Sequence, residues 1–128
     1  MILLDTCTLL WLADDRSQLS QAANELILKN RNNLFVSAAC GFELGIKYQK
    51  KKLLLDMDPQ KWFEGTLKRY SIKEIPITAK TAIYSTNLPP SHQDPCDRIL
   101  VATSKIEGMI ILTPDQAIQQ YREANWEW

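Results

Sequence analysis

The chain has 128 residues, 45% of them apolar, and its 15 basic and 15 acidic residues give a formal net charge of zero. That length and apolar share suit one domain, residues 1–128, with a core that needs no disulfide or structural metal. The charge balance excludes a strongly basic nucleic-acid wrapper, but it leaves room for a basic rim around an acidic centre.

In chain order, Ile2-Leu3-Leu4 is an all-apolar run, as expected for a central parallel strand covered on both faces. It ends at Asp5-Thr6-Cys7-Thr8, and Leu9-Leu10-Trp11-Leu12 continues as a short apolar helix. After a polar break at 14–17, Ser20 caps a helix over about 21–31 with Ala23, Leu26 and Ile27 inward. Asn32-Asn33 is a turn into a second buried strand, Leu34-Phe35-Val36, and Ser37 caps the helix that follows. On that helix Cys40, Leu44 and Tyr48 share one stripe, and Ala39, Glu43 and Lys47 share its neighbour. Gln49-Lys50-Lys51-Lys52 is a basic run, and Leu53-Leu54-Leu55 is a connector.

Asp58-Pro59 opens a helix to about Tyr70, with Trp62, Phe63 and Leu67 as its apolar face. Residues 72–77 read as a strand with Ile75 and Ile77 inward, and Pro76 puts it at a sheet edge. Thr78 caps a helix to about Ser85, and 88–91 is a loop. Asp94 and Pro95 then form another cap-and-proline start, which places Asp97 in the first turn, beside the positive end of the helix dipole. Ile99, Ala102 and Ile106 give that helix a buried stripe, and Gly108 ends it. Met109 to Leu112 is a buried strand running out into Thr113-Pro114-Asp115. Ala117, Ile118 and Tyr121 make a short helix, and 125–128 supplies a last short strand. Trp62, Phe63, Trp126 and Trp128 read as core or dimer-interface residues. Strands alternate with helices throughout, so the fold class is α/β, a central parallel sheet of four to five strands flanked by helices.

The carboxyl ends of parallel strands line the ligand crevice of an open sheet. Asp5 and Asp115 fall on that rim, Glu43 sits about two turns into the helix leaving the second strand, and Asp97 starts the helix feeding the strand at 109–112. Four convergent carboxylates repel one another unless a hard divalent cation lies between them. Mg²⁺ and Mn²⁺ take oxygen ligands and bridge to phosphate oxygens, where they activate water and stabilise a leaving oxygen. The three cysteines have no CxxC spacing and there is one histidine, so a zinc site or disulfide framework is disfavoured and a reducing, cytoplasmic setting is expected. No phosphate-cradling glycine motif occurs, and no stretch approaches the roughly 20 apolar residues of a membrane span.

The pieces Leu3-Leu4-Asp5-Thr6, Ser37 to Lys47, His92 to Thr103 and Ile111 to Asp115 together resemble the PIN-domain family, most closely its VapC-type toxins. By that resemblance Asp5, Glu43, Asp97 and Asp115 match acidic metal-site and catalytic positions, and Thr6 and Thr113 match polar positions beside them. The resemblance implies an Mg²⁺- or Mn²⁺-dependent endoribonuclease leaving 5′-phosphate and 3′-hydroxyl ends, a homodimer, and a small antitoxin that blocks the site. Phe42 and Cys96 depart from the family pattern and look like packing variants. Asp94 is expected mainly as a cap and otherwise as a neighbour of the metal. His92 is expected to position the loop or touch substrate, Arg98 to pair with an acid or a phosphate, and Lys47 to stand beside Glu43. The 50–52 lysines are expected as a solvated face with a possible phosphate-steering role. The alternative from another class is a non-catalytic RNA- or partner-binding module with a vestigial acidic pocket. A phosphoacceptor domain using Asp5 ranks below both, because Asp5-Thr6-Cys7-Thr8 lacks a second close acid.

Overall fold

A computed structural model describes residues 1–90 and 92–128, so Ser91, expected in a loop, lies outside the described residues. The apolar runs form five parallel strands: β1 (Ile2–Leu4), β2 (Leu34–Ser37), β3 (Lys73–Ile75), β4 (Ile110–Leu112) and β5 (Trp126–Glu127). Their order is β3-β2-β1-β4-β5. The first apolar run thus takes the centre, with Leu4 level with Val36 on one side and Leu112 on the other. The chain leaves β1 toward β2 and β3, then returns to lay β4 on the opposite side. The divergence point at the carboxyl end of β1 is where open α/β sheets bind ligands.

Seven α-helices cover the sheet among the described residues: α1 (Thr6–Asp14), α2 (Gln21–Lys29), α3 (Ala38–Gln49), α4 (Pro59–Tyr70), α5 (Ala79–Thr86), α6 (Pro95–Glu107) and α7 (Gln116–Gln119). Their starts follow the side-chain caps: Ser20, Ser37, Asp58, Thr78 and Asp94 each accept a backbone N–H from the first turn. Gly108 ends α6 at φ 67°, a left-handed conformation that glycine adopts without a Cβ penalty.

Strand alternation divides the core between the two sheet faces. Ile2, Leu4, Leu34, Val36 and Leu112 pack with Leu9, Leu12, Ile27, Leu44, Trp62 and Phe63. Leu3 and Ile111 face the other way, onto Leu100, Val101, Ile118 and Tyr121. Trp128 tilts against Trp11 at 5.9 Å between ring centroids, while Trp126 is exposed.

Some boundaries and faces differ from the sequence expectation. The first helix begins at Thr6 rather than Leu9, because Asp5 caps it directly. The second stops at Lys29. β3 ends at Ile75, ahead of the proline that cannot donate to a ladder, so Ile77 is exposed rather than inward. On α6, Ile99 and Ile106 are only half-buried, and the buried arc is Leu100, Val101, Ala102, Thr103 and Ser104. That helix packs against α5 as well as the sheet, which widens the arc and rotates it. Its hydroxyls are satisfied internally: Thr103 donates to the Ile99 carbonyl at 2.7 Å and Ser104 to the Met109 carbonyl at 2.6 Å.

Candidate functional site

Asp5 follows β1 directly and is the most deeply buried of the expected acids. Its Oδ1 accepts the Thr8 backbone N–H at 2.8 Å, which makes it the cap of α1 as well. The Thr113 hydroxyl donates to its Oδ2 from the end of β4. Thr8 meanwhile donates its hydroxyl to the Leu112 carbonyl at 2.9 Å. The ends of β1 and β4 are therefore sewn together at the point where the connections diverge. Burial raises the Asp5 pKa above its ordinary value, and the bonds from Thr113 and Thr8 oppose that shift without cancelling it.

Glu43 reaches the same region from α3, where its Oε1 accepts the Thr6 hydroxyl at 2.9 Å. Its pKa is raised too, first by burial and then by the negative charges of Asp97 and Asp94, with Lys47 and the Thr6 bond opposing. Asp97 lies in the first turn of α6, with Oδ2 2.7 Å from His92 Nε2. Burial again raises its pKa, the His92 bond opposes the shift, and the charges of Asp94 and Asp115 add to it. Asp115 caps α7 by accepting the Ala117 N–H at 2.9 Å, and its own N–H donates to Thr113 Oγ1 at 3.0 Å. The charge of Asp97 thus reaches Glu43 and that of Asp115 reaches Asp97, while Asp5 joins Asp115 through Thr113.

Among the described residues, one group of three ligating side chains is close-set: His92, Asp94 and Asp97 offer atoms within 4.8 Å of one another. Asp5, Glu43 and Asp115 belong to no such group, so the acids share a rim more loosely than a closed ligand shell. Asp94 serves as the expected cap, its Oδ1 accepting from Cys96 N at 2.9 Å and Asp97 N at 3.4 Å.

The donors are oxygen atoms with a single imidazole, the chemistry of a hard divalent cation. The thiols do not compete. The Cys7 thiol donates toward Asp5 at 3.3 Å and is pushed well above its ordinary pKa by burial and by that carboxylate. Burial pushes Cys40 and Cys96 up to about 12. Burial and neighbouring carboxylates thus disfavour the thiolate, the metal-binding form, at all three.

Among the described residues Arg98 makes no ion pair with an acid. Its guanidinium donates to the carbonyls of Leu88 at 2.6 Å, Pro89 at 2.7 Å and His92 at 3.0 Å. The Tyr121 hydroxyl donates to the His92 carbonyl as well, at 3.0 Å. Arg98 and Tyr121 therefore clamp the segment that holds His92 against Asp97. Sequence reasoning placed Tyr121 only in a short helix with Ala117 and Ile118, and its separation of 29 residues from His92 carries no local signal of the bond. Phe42 is not a packing variant: it is 63% exposed, while Cys96 is buried.

Residues 2–124 match the family model of the PIN domain. The chain belongs to the PIN-domain family. This PIN domain is 27% identical over 122 residues to Ribonuclease VapC22 of Mycobacterium tuberculosis (strain ATCC 25618 / H37Rv), covering 94% of this chain and 92% of that protein. Two solved structures share its fold. DNA-bound VapBC from Salmonella typhimurium superposes with a TM-score of 0.74 at 16% identity, over 98% of this chain and 96% of that one. VapBC2 from Rickettsia felis, bound to a DNA fragment from its promoter, gives 0.73 at 16% identity, over 99% and 98%. In the PIN domain described here, no helix among the described residues is long and apolar enough to cross a membrane.

Proposed function

We propose that this PIN domain is the VapC-type toxin of a toxin–antitoxin pair, an endoribonuclease that hydrolyses RNA phosphodiesters to 5′-phosphate and 3′-hydroxyl ends. The observation that carries the reading is the gathering of half-buried to buried carboxylates by the carboxyl end of β1: Thr113 holds Asp5, Thr6 holds Glu43, and Glu43 feels the charge of Asp97. Lys47 is the one lysine among the charges acting on Glu43, too little cation for so many acids. A hard divalent cation, Mg²⁺ or Mn²⁺, relieves that imbalance, and when bound it supplies charge stabilisation to a phosphodiester and lowers the pKa of water.

In this reading Asp5, Glu43, Asp97 and Asp115 hold the cation and orient the attacking water. Thr6 and Thr113 fix the rotamers of Glu43 and Asp5 through their hydroxyls. His92 holds Asp97, and Arg98 and Tyr121 hold His92. Asp94 sits close enough to Asp97 to take part in the same ligand group. The likeness to VapBC structures supports an antitoxin partner; in this reading it covers the rim, and the toxin is a homodimer.

The test is cleavage of structured and unstructured RNA by the purified chain in Mg²⁺ or Mn²⁺. Asp5→Asn and Asp97→Asn are each expected to lose at least about 100-fold in rate, and EDTA to abolish cleavage. Either variant cutting as fast as the wild type would sink the assignment. A chain that binds RNA without cutting it under any divalent cation would be the binding module instead.

A further inference from the structure

We propose that the groove between α3 and the first turn of α6 is a stacking subsite for one unpaired base of the RNA substrate, with Phe42 as the platform and the lysines beside it holding the adjoining phosphates. The proposal rests on the ribonuclease reading of the acidic centre and extends it to how substrate is seated there.

The groove encloses about 410 Å³, within the roughly 300–1,000 Å³ of small-ligand clefts. Phe42 and Ile46 are four residues apart and share one stripe of α3, so they form its apolar floor. Glu43, one residue on from Phe42, also lines the groove, as do Asp94 and Pro95 across it at the start of α6. The groove therefore opens into the carboxylate rim, and a group seated on Phe42 lies next to the proposed scissile phosphate. At 63% exposure, Phe42 is the most exposed of the large aromatic side chains among the described residues.

Charge selects the occupant. Lys47, Lys50 and Lys52 line the same groove, and Lys50 is the residue that caps α3, four positions beyond Ile46. Lysines around an exposed ring match a strand that alternates phosphates with flat π-faces. A purely apolar protein surface laid into the groove would instead strip water from three ammonium groups without pairing them. A base must be unpaired to reach the ring, because side chains cannot read the deep, narrow major groove of duplex RNA.

The experiment compares wild type, Phe42→Ala, Phe42→Trp and Lys50→Ala/Lys52→Ala on a short fluorescein-labelled unstructured RNA, with its duplex form as control. Binding is read by anisotropy in the cleavage-deficient Asp5→Asn background and cleavage by KM and kcat in the active chain. Phe42→Ala is expected to weaken single-strand binding and raise KM by about 10-fold with little change in kcat, and Phe42→Trp to restore both. The duplex is expected to be insensitive to Phe42. The double lysine variant is expected to flatten the salt dependence of log K by about 0.7 per lost phosphate contact. Unchanged binding and KM in an actively cleaving Phe42→Ala chain would overturn the subsite and leave the ribonuclease reading standing. An inactive wild-type chain whose RNA binding still needs Phe42 would do the reverse. If Phe42→Ala leaves RNA binding intact but abolishes self-association in sedimentation, the groove is a protein contact and the proposal is wrong.

Discussion

Thr113 donates its hydroxyl to the buried Asp5 carboxylate while accepting the Asp115 backbone N–H at 3.0 Å, so one side chain ties the end of β1 to the start of α7. A buried carboxylate left without its donor bears the desolvation penalty of the lost bond, about 1–3 kcal/mol. Thr113→Val, which keeps the shape and loses the hydroxyl, is expected to destabilise the metal-free chain by that amount in urea. Thr113→Ser keeps the hydroxyl and is expected to stay within about 1 kcal/mol of wild type. Equal midpoints for Val and wild type would show that the bond does not anchor Asp5.

The raised pKa values of Asp5, Glu43 and Asp97 fix the sign of a pH effect. A group whose folded-state pKa lies above its unfolded value binds protons more tightly when folded, so its stabilising contribution is full below the unfolded value. That contribution is lost as pH rises through the folded value. The metal-free chain is therefore expected to lose stability from the ordinary carboxylate range, whose Asp reference here is 3.8, upward toward neutrality. Added Mn²⁺ binds the ionised forms in the folded state only, so its stabilisation should grow over the same interval. Thermal melts at several pH values, with and without Mn²⁺, check both trends. A metal-free Tm that climbs steadily across that interval would contradict the first.

Arg98 spends its guanidinium on three backbone carbonyls, Leu88, Pro89 and His92. A lysine has one ammonium point and cannot reproduce that fork. Arg98→Lys is thus expected to weaken folding by about 1–3 kcal/mol. It should also free His92 from Asp97, visible as a changed chemical shift of the imidazole ring in NMR. Tyr121→Phe removes one of the same bonds and is expected to cost less, about 1 kcal/mol. Unaltered His92 ring shifts in Arg98→Lys would mean the segment is held by other contacts.

The parts of this molecule that were legible in its residues are those set by local chemistry. Asp58-Pro59 and Asp94-Pro95 marked two helix starts to the residue, and Gly108 marked one end, because caps, proline and left-handed φ act within one turn. The strands at Ile2, Leu34 and Ile110 followed from uniform apolar runs that a parallel sheet buries on both faces. Asp5, Asp97 and Asp115 stood out because they follow strand ends or start a helix, and Glu43 because its helix leaves the second strand at the same rim. What was not legible depends on neighbours far along the chain. The clamp of Arg98 and Tyr121 on His92, and the thread from Thr113 to Asp5 over 108 residues, need the assembled fold. The buried arc of α6 was misplaced for the same reason, since the position of α5 decides which side chains it covers.

That arc yields the last expectation, with both substitutions on one helix so that propensity cancels. Leu100 is buried on the face turned to Leu3, Val101 and Ile111, whereas Ile106 is half-buried. Truncating a buried leucine costs its transfer free energy plus the cavity left behind, about 2–5 kcal/mol. Truncating a side chain already half in water removes less apolar contact and opens the site to solvent rather than leaving a void. Leu100→Ala should therefore lower the urea midpoint by that larger amount, and Ile106→Ala by about 1 kcal/mol. The sequence pattern alone, with its Ile99, Ala102 and Ile106 stripe, orders the two variants the other way, so a larger loss at Ile106 would place the core of α6 on the wrong face here.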